Sequence, residues 1–208
     1  MGSETLTSEG RTTNLITPSM GSERKKVHEG GTEDKYRIAY DSAMTGGNVS
    51  KTNPMRHLDK LGIEYKVHTY DPDAKLNGQQ IADILGEEHD RVFKTLVTVA
   101  GPKRHYVFVI PVDMELDLKK AAASVGEKSM DMLPSKELLA LTGYVHGGCS
   151  PLCMKREMVT TIDSTVKDGT IFYVSAGKVG CQLELSVDDF FRSGEFRTAD
   201  VTRPRTTK

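Results

Sequence analysis

The stretch 92-VFKTLVTVAGPKRHYVFVIPV-112 decides how the chain is expected to fold. Two runs rich in β-branched and aromatic residues, 92–100 and 105–112, flank the short segment GPKR at 101–104. Such side chains favour strands, and a Gly- and Pro-containing segment between two of these runs favours a hairpin turn. The stretch therefore predicts a β-hairpin in the middle of a sheet.

The segments before the hairpin predict two helices and a strand. The first helix begins after Thr52, a good capping residue, carries apolar side chains on one face and ends at Gly62. Residues 63–70 alternate apolar and polar side chains with the two-residue period of a half-buried strand. Residues 79–86 then predict a short helix closed by Gly86.

The segments after the hairpin mix helices and strands. Asp117 and Ser135 are predicted to cap two helices that end at Gly126 and Gly143, and Ser186 to cap a short last one. Strands are predicted at 158–163, 170–175 and 181–186, with a turn at 177–180. Because helices and strands do not strictly alternate, the expected fold is α+β: a single domain with a mixed, barrel-like β-sheet flanked by helices.

The composition changes at both ends of the predicted domain. Residues 1–50 are rich in Gly, Ser, Thr and charged side chains and show no sustained apolar period, so we expect a disordered or leader segment. The domain is expected to span 51–201. The basic end 202–208 is expected to be a loose tail.

Charge and cysteine content limit the classes of function. The 208 residues carry a formal net charge of −1, so an RNA partner must be held by a local basic patch or brought by another protein. Three cysteines are an odd number in a chain this large, which favours a reducing cytosol over a disulfide framework. No apolar run approaches the roughly 18–20 residues that span a bilayer, so no membrane association is expected.

The segment 143-GYVHGGCSPLCMKR-156 permits several chemistries. Cys149 and Cys153 with His146 suggest zinc, but the second ligand pair typical of zinc sites is missing, so we predict no metal. Cys149 with His146 as its base is a second possibility, and ordinary packing of both thiols is a third. Ser150 lacks the GxSxG elbow of a serine hydrolase. No phosphate-binding glycine motif occurs, so no cofactor is expected.

Lys94 interrupts an apolar strand pattern. It lies on a sheet face that meets water, or it lines a pocket where a partly desolvated ammonium can contact a carbonyl or a phosphate group. The strand pattern leaves both alternatives open.

Four segments together carry a family resemblance: 93-FKTLVT-98, 105-HYVFVIPVDMELDLKKAAASVGEKSMDM-132, 143-GYVHGGCSP-151 and 174-VSAGKVGCQLEL-185. In this order and spacing, over residues 51 to about 201, they resemble the YbaK/EbsC family of aminoacyl-tRNA deacylases. Members of that family are similar to the editing domain of prolyl-tRNA synthetases. The resemblance implies a metal-independent, trans-acting hydrolase of mischarged Cys-tRNA(Pro), working in the cytoplasm and in a ternary complex with prolyl-tRNA synthetase.

The same resemblance implies the site. Lys94 corresponds to the family's essential lysine, and the remaining matches are substrate-binding positions: Tyr70, Thr95, Gly147, Gly148, Ser175, Gly177 and Lys178. It further implies that the thiol of the bound cysteinyl group attacks its own ester, so that an alanyl ester survives. The two glycine N–H groups are then expected to hold the aminoacyl carbonyl or the terminal ribose, and Lys94 to position or polarise the ester.

Two departures and two alternatives remain. Asn77 stands where some relatives have an aromatic residue, and Cys153 stands where a glycine is expected, which puts pocket lining and loop stiffness in question. The chain could instead edit another aminoacyl-tRNA(Pro), such as Ala-tRNA(Pro), or bind tRNA or the synthetase without turnover. Several basic side chains either meet the acceptor stem or only solubilise the surface: Lys119, Lys120, Lys155, Arg156 and Lys178.

Overall fold

The computed structural model describes residues 50–205. The predicted leader before Ser50 and the last three residues of the predicted tail lie outside this range. The helices are α1 (Asn53–Leu61), α2 (Gly78–Leu85), α3 (Leu118–Ser124), α4 (Ser135–Thr142) and α5 (Val187–Arg192), with a 3-10 turn at Pro72–Ala74. The strands are β1 (Lys66–Thr69), β2 (Phe93–Ala100), β3 (Arg104–Pro111), β4 (Met114–Leu116), β5 (Asp131–Met132), β6 (Val159–Asp163), β7 (Ile171–Ser175), β8 (Cys181–Ser186), β9 (Phe196–Ala199) and β10 (Thr202–Pro204).

The predicted hairpin is confirmed and lies inside the larger sheet. β2 and β3 pair antiparallel along their whole length, from Phe93 opposite Pro111 to Ala100 opposite Arg104. β6 then adds to β3 in parallel and β9 adds to β6 in parallel, which gives the five-stranded order β5-β2-β3-β6-β9. The sheet is therefore mixed, as predicted.

A second sheet meets the first edge to edge. β1, β8 and β7 form an antiparallel sheet in that order, and Val92 bridges Tyr173 in parallel at the start of β2. A third, two-stranded sheet pairs β10 with β4. Within residues 50–205 these sheets do not close on themselves, so the α+β class is confirmed and the expectation of a barrel-like sheet is wrong.

Apolar side chains cover both faces of the joined sheets. One face carries the largest cluster, which includes Val107, Phe172 and Leu183 and is covered by α1, α4 and α5. The other face carries two smaller clusters, one under α3 around Phe108 and Ile110, the other under α2 and including Tyr70, Val112 and Tyr173. Helices on both faces leave few places where a polar side chain of the sheet can meet a ligand.

Three of the predicted helix caps are confirmed. Thr52 caps α1, Asp117 caps α3 and Ser186 caps α5 through side-chain acceptors. The prediction that Ser135 caps α4 is wrong, because the N-cap is Pro134 and Ser135 already has helical geometry. None of the helices between residues 50 and 205 is long and apolar enough to cross a membrane.

The edges of the fold differ more from the prediction. The first strand covers only Lys66–Thr69, and Val67, expected to face the core, is 38% exposed because β1 is an edge strand paired only with β8. β4, β5 and β9 were not predicted. Thr202–Pro204 form β10 against Met114–Leu116, so the loose tail expected from residue 202 does not hold for these residues.

Candidate active site

Several predicted site residues meet at one end of the three-stranded sheet. β1 and β7 end there and β8 begins there, because Thr69 faces Cys181 and Ser175 faces Gln182 in the antiparallel registers. The buried Ser175 hydroxyl accepts a hydrogen bond from the Gly177 N–H at 3.3 Å. The turn between β7 and β8 is thus fixed to the last side chain of β7.

Tyr70 is anchored at the same end. Its N–H donates to the Gly180 carbonyl at 2.9 Å, and the Gln182 amide N–H donates to its hydroxyl at 3.4 Å. Burial raises the pKa of the Tyr70 phenol, so the hydroxyl stays protonated near neutral pH. Tyr70 can therefore act as a neutral hydrogen-bonding group.

The glycine-rich loop packs onto the turn between β7 and β8. A Cβ on Gly148 would lie 2.8 Å from the Val179 backbone nitrogen and 3.0 Å from the Lys178 carbonyl carbon. Gly147 adopts φ +80°, a conformation that L side chains rarely adopt. This close approach of two backbone segments requires glycine and brings Gly147, Gly148 and the exposed Lys178 together.

The two glycine N–H groups are not equivalent. The N–H of Gly148 donates to the Val145 carbonyl at 3.1 Å inside the loop. Hydrogen bonds among residues 50–205 do not use the N–H of Gly147. Of the two N–H groups expected to hold a substrate oxygen, only that of Gly147 is therefore free to do so in the described part of the chain. The N–H of Gly148 instead stabilises the loop.

Lys94 is not a lysine on a water-facing sheet. Its ammonium donates to the carbonyl oxygens of Met114, the first residue of β4, at 2.7 Å and of Val112, in the segment that connects β3 to β4, at 3.2 Å. The pKa of Lys94 is lowered mainly by burial, with the nearby Arg205 charge acting in the same direction and Asp113 and Glu115 opposing it. The pocket alternative for Lys94 is thus the one that the geometry favours.

The strand register relates Lys94 to the glycine cluster. From the parallel bridge between Val92 and Tyr173, both strands continue in one direction, toward Lys94 on β2 and Ser175 on β7. Because side chains two apart share a face, Lys94 and Ser175 lie on the face that carries Tyr70 and Gln182. The Lys94 ammonium itself is directed to the connection between β3 and β4.

Thr95 is not part of this face. It follows Lys94 directly and pairs with Val109, a member of the largest apolar cluster. Its hydroxyl is buried without a hydrogen-bond partner among the described residues. The structure therefore separates Thr95 from the other predicted substrate-binding residues.

The cysteines lack the surroundings of a nucleophile. Cys149 is buried and burial raises the pKa of its thiol to about 12, while His146 is exposed to solvent. Ser150 is fully buried, and its hydroxyl accepts the N–H of Leu152 at 3.3 Å. A Cys149–His146 pair and a serine nucleophile are both disfavoured by this placement.

Two other features bear on the loop. Cys153 is exposed and adopts φ +55°, the conformation that glycine favours, at the position where the sequence suggested that a glycine was missing. In the part of the chain from 50 to 205, no three His, Cys, Asp or Glu side chains are grouped so that they could hold a metal ion. The Cys149 thiol is therefore interpreted as a packing group and the Cys153 thiol as a surface group.

A large cleft among the described residues lies elsewhere. It has a volume of about 910 Å³ and is lined by residues of the 151–160 segment, by the 193–197 segment and by His57. None of the eight predicted site residues lines it. This cleft therefore does not coincide with the predicted site, although Cys153 lines it.

Gln182 belongs to the site and was not predicted. It is only 5% exposed, contacts the Tyr70 hydroxyl, and its amide oxygen has no partner among residues 50–205. Buried acceptors usually have a partner, so this oxygen is open to a water or a ligand, as the buried Thr95 hydroxyl is on the opposite face. A weak signal is present in the sequence, since Gln182 is a polar residue directly after Cys181 at the start of an apolar strand.

A family model matches more than half of the chain. The model of the aminoacyl-tRNA editing domain matches residues 72–193, which include Lys94, the glycine-rich loop and the turn between β7 and β8. A candidate Cys-tRNA(Pro)/Cys-tRNA(Cys) deacylase of Enterococcus faecalis, EbsC, is 39% identical over 153 residues, covering 73% of this chain and 93% of that protein.

Solved structures share the fold. A candidate trans-editing enzyme for prolyl-tRNA synthetase superposes with a TM-score of 0.63 at 20% identity, over 74% of this chain and 99% of that one. A protein described as hypothetical superposes with a TM-score of 0.64 at 22% identity, over 71% of this chain and 97% of that one. At these identities the structural matches support the fold alone.

Proposed function

The chain belongs to the aminoacyl-tRNA editing domain family and is an aminoacyl-tRNA deacylase, and from this premise we propose that it removes cysteine from mischarged Cys-tRNA(Pro). The observation that carries the proposal is Lys94, an ammonium held by two carbonyl oxygens on the sheet face that also bears Ser175 and Tyr70. The E. faecalis relative is named as a deacylase of Cys-tRNA(Pro) and Cys-tRNA(Cys), which supports cysteine as the aminoacyl group.

Lys94 is proposed to bind the ester. An ammonium has three N–H donors, and two of them are used by Val112 and Met114. The third is available to the ester carbonyl oxygen, where negative charge develops during attack. Because the ammonium is already fixed, little reorganisation accompanies that charge stabilisation.

The nucleophile is proposed to come from the substrate. The cysteinyl sulfur attacks its own carbonyl carbon, the C–O bond to the terminal ribose breaks, and the ribose hydroxyl leaves with a proton. The product of this step is a four-membered thiolactone, which water then hydrolyses. An internal thiolate is effective because a thiol ionises near neutral pH and an attached nucleophile has a high effective molarity.

The glycine-rich end is proposed to position the substrate. The N–H of Gly147 and the hydroxyls of Ser175 and Tyr70 are the hydrogen-bonding groups of this end. Gly177 and Gly148 keep the two loops close enough to present them. The unpartnered amide oxygen of Gln182 can accept from a ribose hydroxyl or from the aminoacyl ammonium.

The proposed selectivity is divided between two proteins. A thiol-dependent step spares an alanyl ester, which has no nucleophile, whereas nothing in this step reads the tRNA sequence. We therefore propose that prolyl-tRNA synthetase, in a ternary complex in the cytoplasm, supplies the tRNA(Pro) selectivity. The proposed chemistry uses no metal.

A deacylation assay tests the proposal. Wild type and Lys94→Ala are compared on Cys-tRNA(Pro), Ala-tRNA(Pro) and Cys-tRNA(Cys), with the exposed-lysine variant Lys136→Ala as the control. We expect rapid loss of cysteine from both tRNAs with wild type and Lys136→Ala, little loss of alanine, and slow reactions with Lys94→Ala. Faster release of alanine would assign a different substrate, and no release of any amino acid would indicate a binding module.

A further inference from the structure

The end of the described chain lies beside Lys94. β10 pairs with β4 so that Pro204 faces Met114, and the Met114 carbonyl is the acceptor closest to the Lys94 ammonium, at 2.7 Å. Arg205 follows Pro204 directly. The strand pairing therefore delivers Arg205 to the segment that holds Lys94.

A second set of contacts leads to the same place. The Arg205 guanidinium donates to the Gln79 side-chain oxygen at 2.9 Å, and Gln79 lies in the first turn of α2. The neighbouring Gly78 packs so closely on Val112 that an added Cβ would lie 2.6 Å from its side chain. Val112 in turn supplies the other carbonyl that accepts from Lys94.

The charge of Arg205 is available to a ligand. Arg205 is exposed, and none of the ion pairs among residues 50–205 includes it. The carboxylate of Glu115, one of the two acidic groups near Lys94, is paired with Arg203 at 3.3 Å. The partner of Arg205 is the neutral amide of Gln79, so its positive charge is not neutralised by that contact.

We propose that Arg205 binds the phosphodiester next to the terminal adenosine of the aminoacyl-tRNA, while Lys94 contacts the ester that this adenosine carries. This inference rests on the proposed function, because it requires an aminoacyl-tRNA ester at Lys94. A guanidinium can form two parallel hydrogen bonds to a phosphate, which fixes both position and orientation. The strand β10 then has a role in substrate binding, because its pairing with β4 positions Arg205 beside Lys94.

The test compares Arg205→Gln with Arg203→Gln in the full-length chain. Arg203 lies on the same strand and is engaged by Glu115, so it is a matched control for loss of one arginine from β10. On Cys-tRNA(Pro) we expect Arg205→Gln to raise KM about tenfold with kcat nearly unchanged, as for loss of one charge-assisted contact. Arg203→Gln is expected to leave KM near the wild-type value.

Two further measurements separate phosphate binding from a structural effect. The slope of log(kcat/KM) against log salt concentration is negative for the wild type. In Arg205→Gln its magnitude is expected to be smaller by about 0.7, the contribution of one phosphate contact on a single strand. The substrate 3′-cysteinyl-adenosine has no phosphate, so wild type and Arg205→Gln are expected to hydrolyse it equally.

The outcomes distinguish this inference from the proposed function. Wild type that fails to deacylate Cys-tRNA(Pro) overturns the proposed function. Wild type that is active, with an Arg205→Gln variant of unchanged KM and salt slope, overturns the role of Arg205 alone. An equal loss of activity toward 3′-cysteinyl-adenosine also overturns it, because the defect would then not depend on phosphate.

Discussion

The two ends of the proposed site are built in different ways. At the glycine-rich end, backbone approaches backbone: Gly148 lies against residues 178 and 179, and Gly180 against Tyr70. At the Lys94 end, one charged side chain is held by the carbonyl oxygens of Val112 and Met114. Backbone packing therefore determines the shape of the glycine-rich end, and the ammonium of Lys94 determines the charge of the other end. Mutations at the glycine-rich end should reduce stability, whereas mutations of Lys94 should reduce activity.

The largest effect is expected for Lys94→Arg. The planar guanidinium keeps the charge but cannot reproduce the geometry of an ammonium between two carbonyl oxygens, so the donor to the ester is misplaced. We expect kcat/KM on Cys-tRNA(Pro) to fall about 100-fold, roughly 2.7 kcal/mol in activation free energy, with a cooperative unfolding transition retained. Lys136→Arg is the control. Full activity of Lys94→Arg would show that charge alone suffices.

Gly148→Ala should affect stability as well as activity. The added methyl group would lie 2.8 Å from the Val179 backbone nitrogen, so the loop and the turn must move apart. Overpacking of this kind costs about 1–3 kcal/mol in the free energy of unfolding, measured by urea denaturation. Adding Val179→Ala should not restore stability, because the closest atoms belong to the backbone. Rescue by that second change would contradict the backbone contact.

The alkaline side of the pH profile of kcat/KM should report the Lys94 end. The pKa of Lys94 is lowered from 10.5 by burial, so the ammonium loses its proton at a lower pH than a free lysine. If the charged form is required, kcat/KM corrected for uncatalysed hydrolysis rises as the substrate thiol ionises and falls tenfold per pH unit once Lys94 is neutral. In Lys94→Arg the alkaline decline should disappear. Its persistence would assign it to another group.

The sequence predicted the parts of the fold that depend on neighbouring residues. The hairpin around GPKR and the caps at Thr52 and Asp117 follow from turn chemistry and side-chain acceptors only a few residues away. β9 and β10 could not be found in this way. They are three to four residues long, and their pairing with β6 and β4 arises only in the tertiary structure.

The candidate site also combines residues that the sequence predicted with residues that only the tertiary structure connects. The family resemblance named Lys94 and the glycine-rich loop, and the strand registers put Lys94 and Ser175 on one sheet face. It also grouped Thr95 with them, although alternation along β2 turns adjacent side chains to opposite faces. Gln182 and Arg205 were missed because a polar residue in a strand and a basic residue near a chain end carry no motif, and only the folded contacts connect them to Tyr70 and Lys94.

The smallest effect is expected at Cys153, a residue of the glycine-rich end that adopts a glycine-like backbone conformation without being glycine. Cys153 adopts φ +55°, a left-handed conformation that costs a residue with a Cβ about 1–2 kcal/mol. Cys153→Gly removes that strain but adds about 0.4–1 kcal/mol of conformational freedom to the unfolded chain. We therefore expect a net stabilisation of about 0.5–1 kcal/mol in urea denaturation.

Cys153→Ala is the matched control, because it keeps the Cβ and the strain while removing only the thiol and its 3.6 Å contact with the Asn53 carbonyl. It should gain no stability, and neither variant should lose deacylation activity, since the proposed nucleophile belongs to the substrate. Equal stability of the Gly and Ala variants would mean that the loop carries no strain at this residue. Loss of activity in both would instead give the Cys153 thiol a role in the reaction, and the shape-setting end would then contribute chemistry as well.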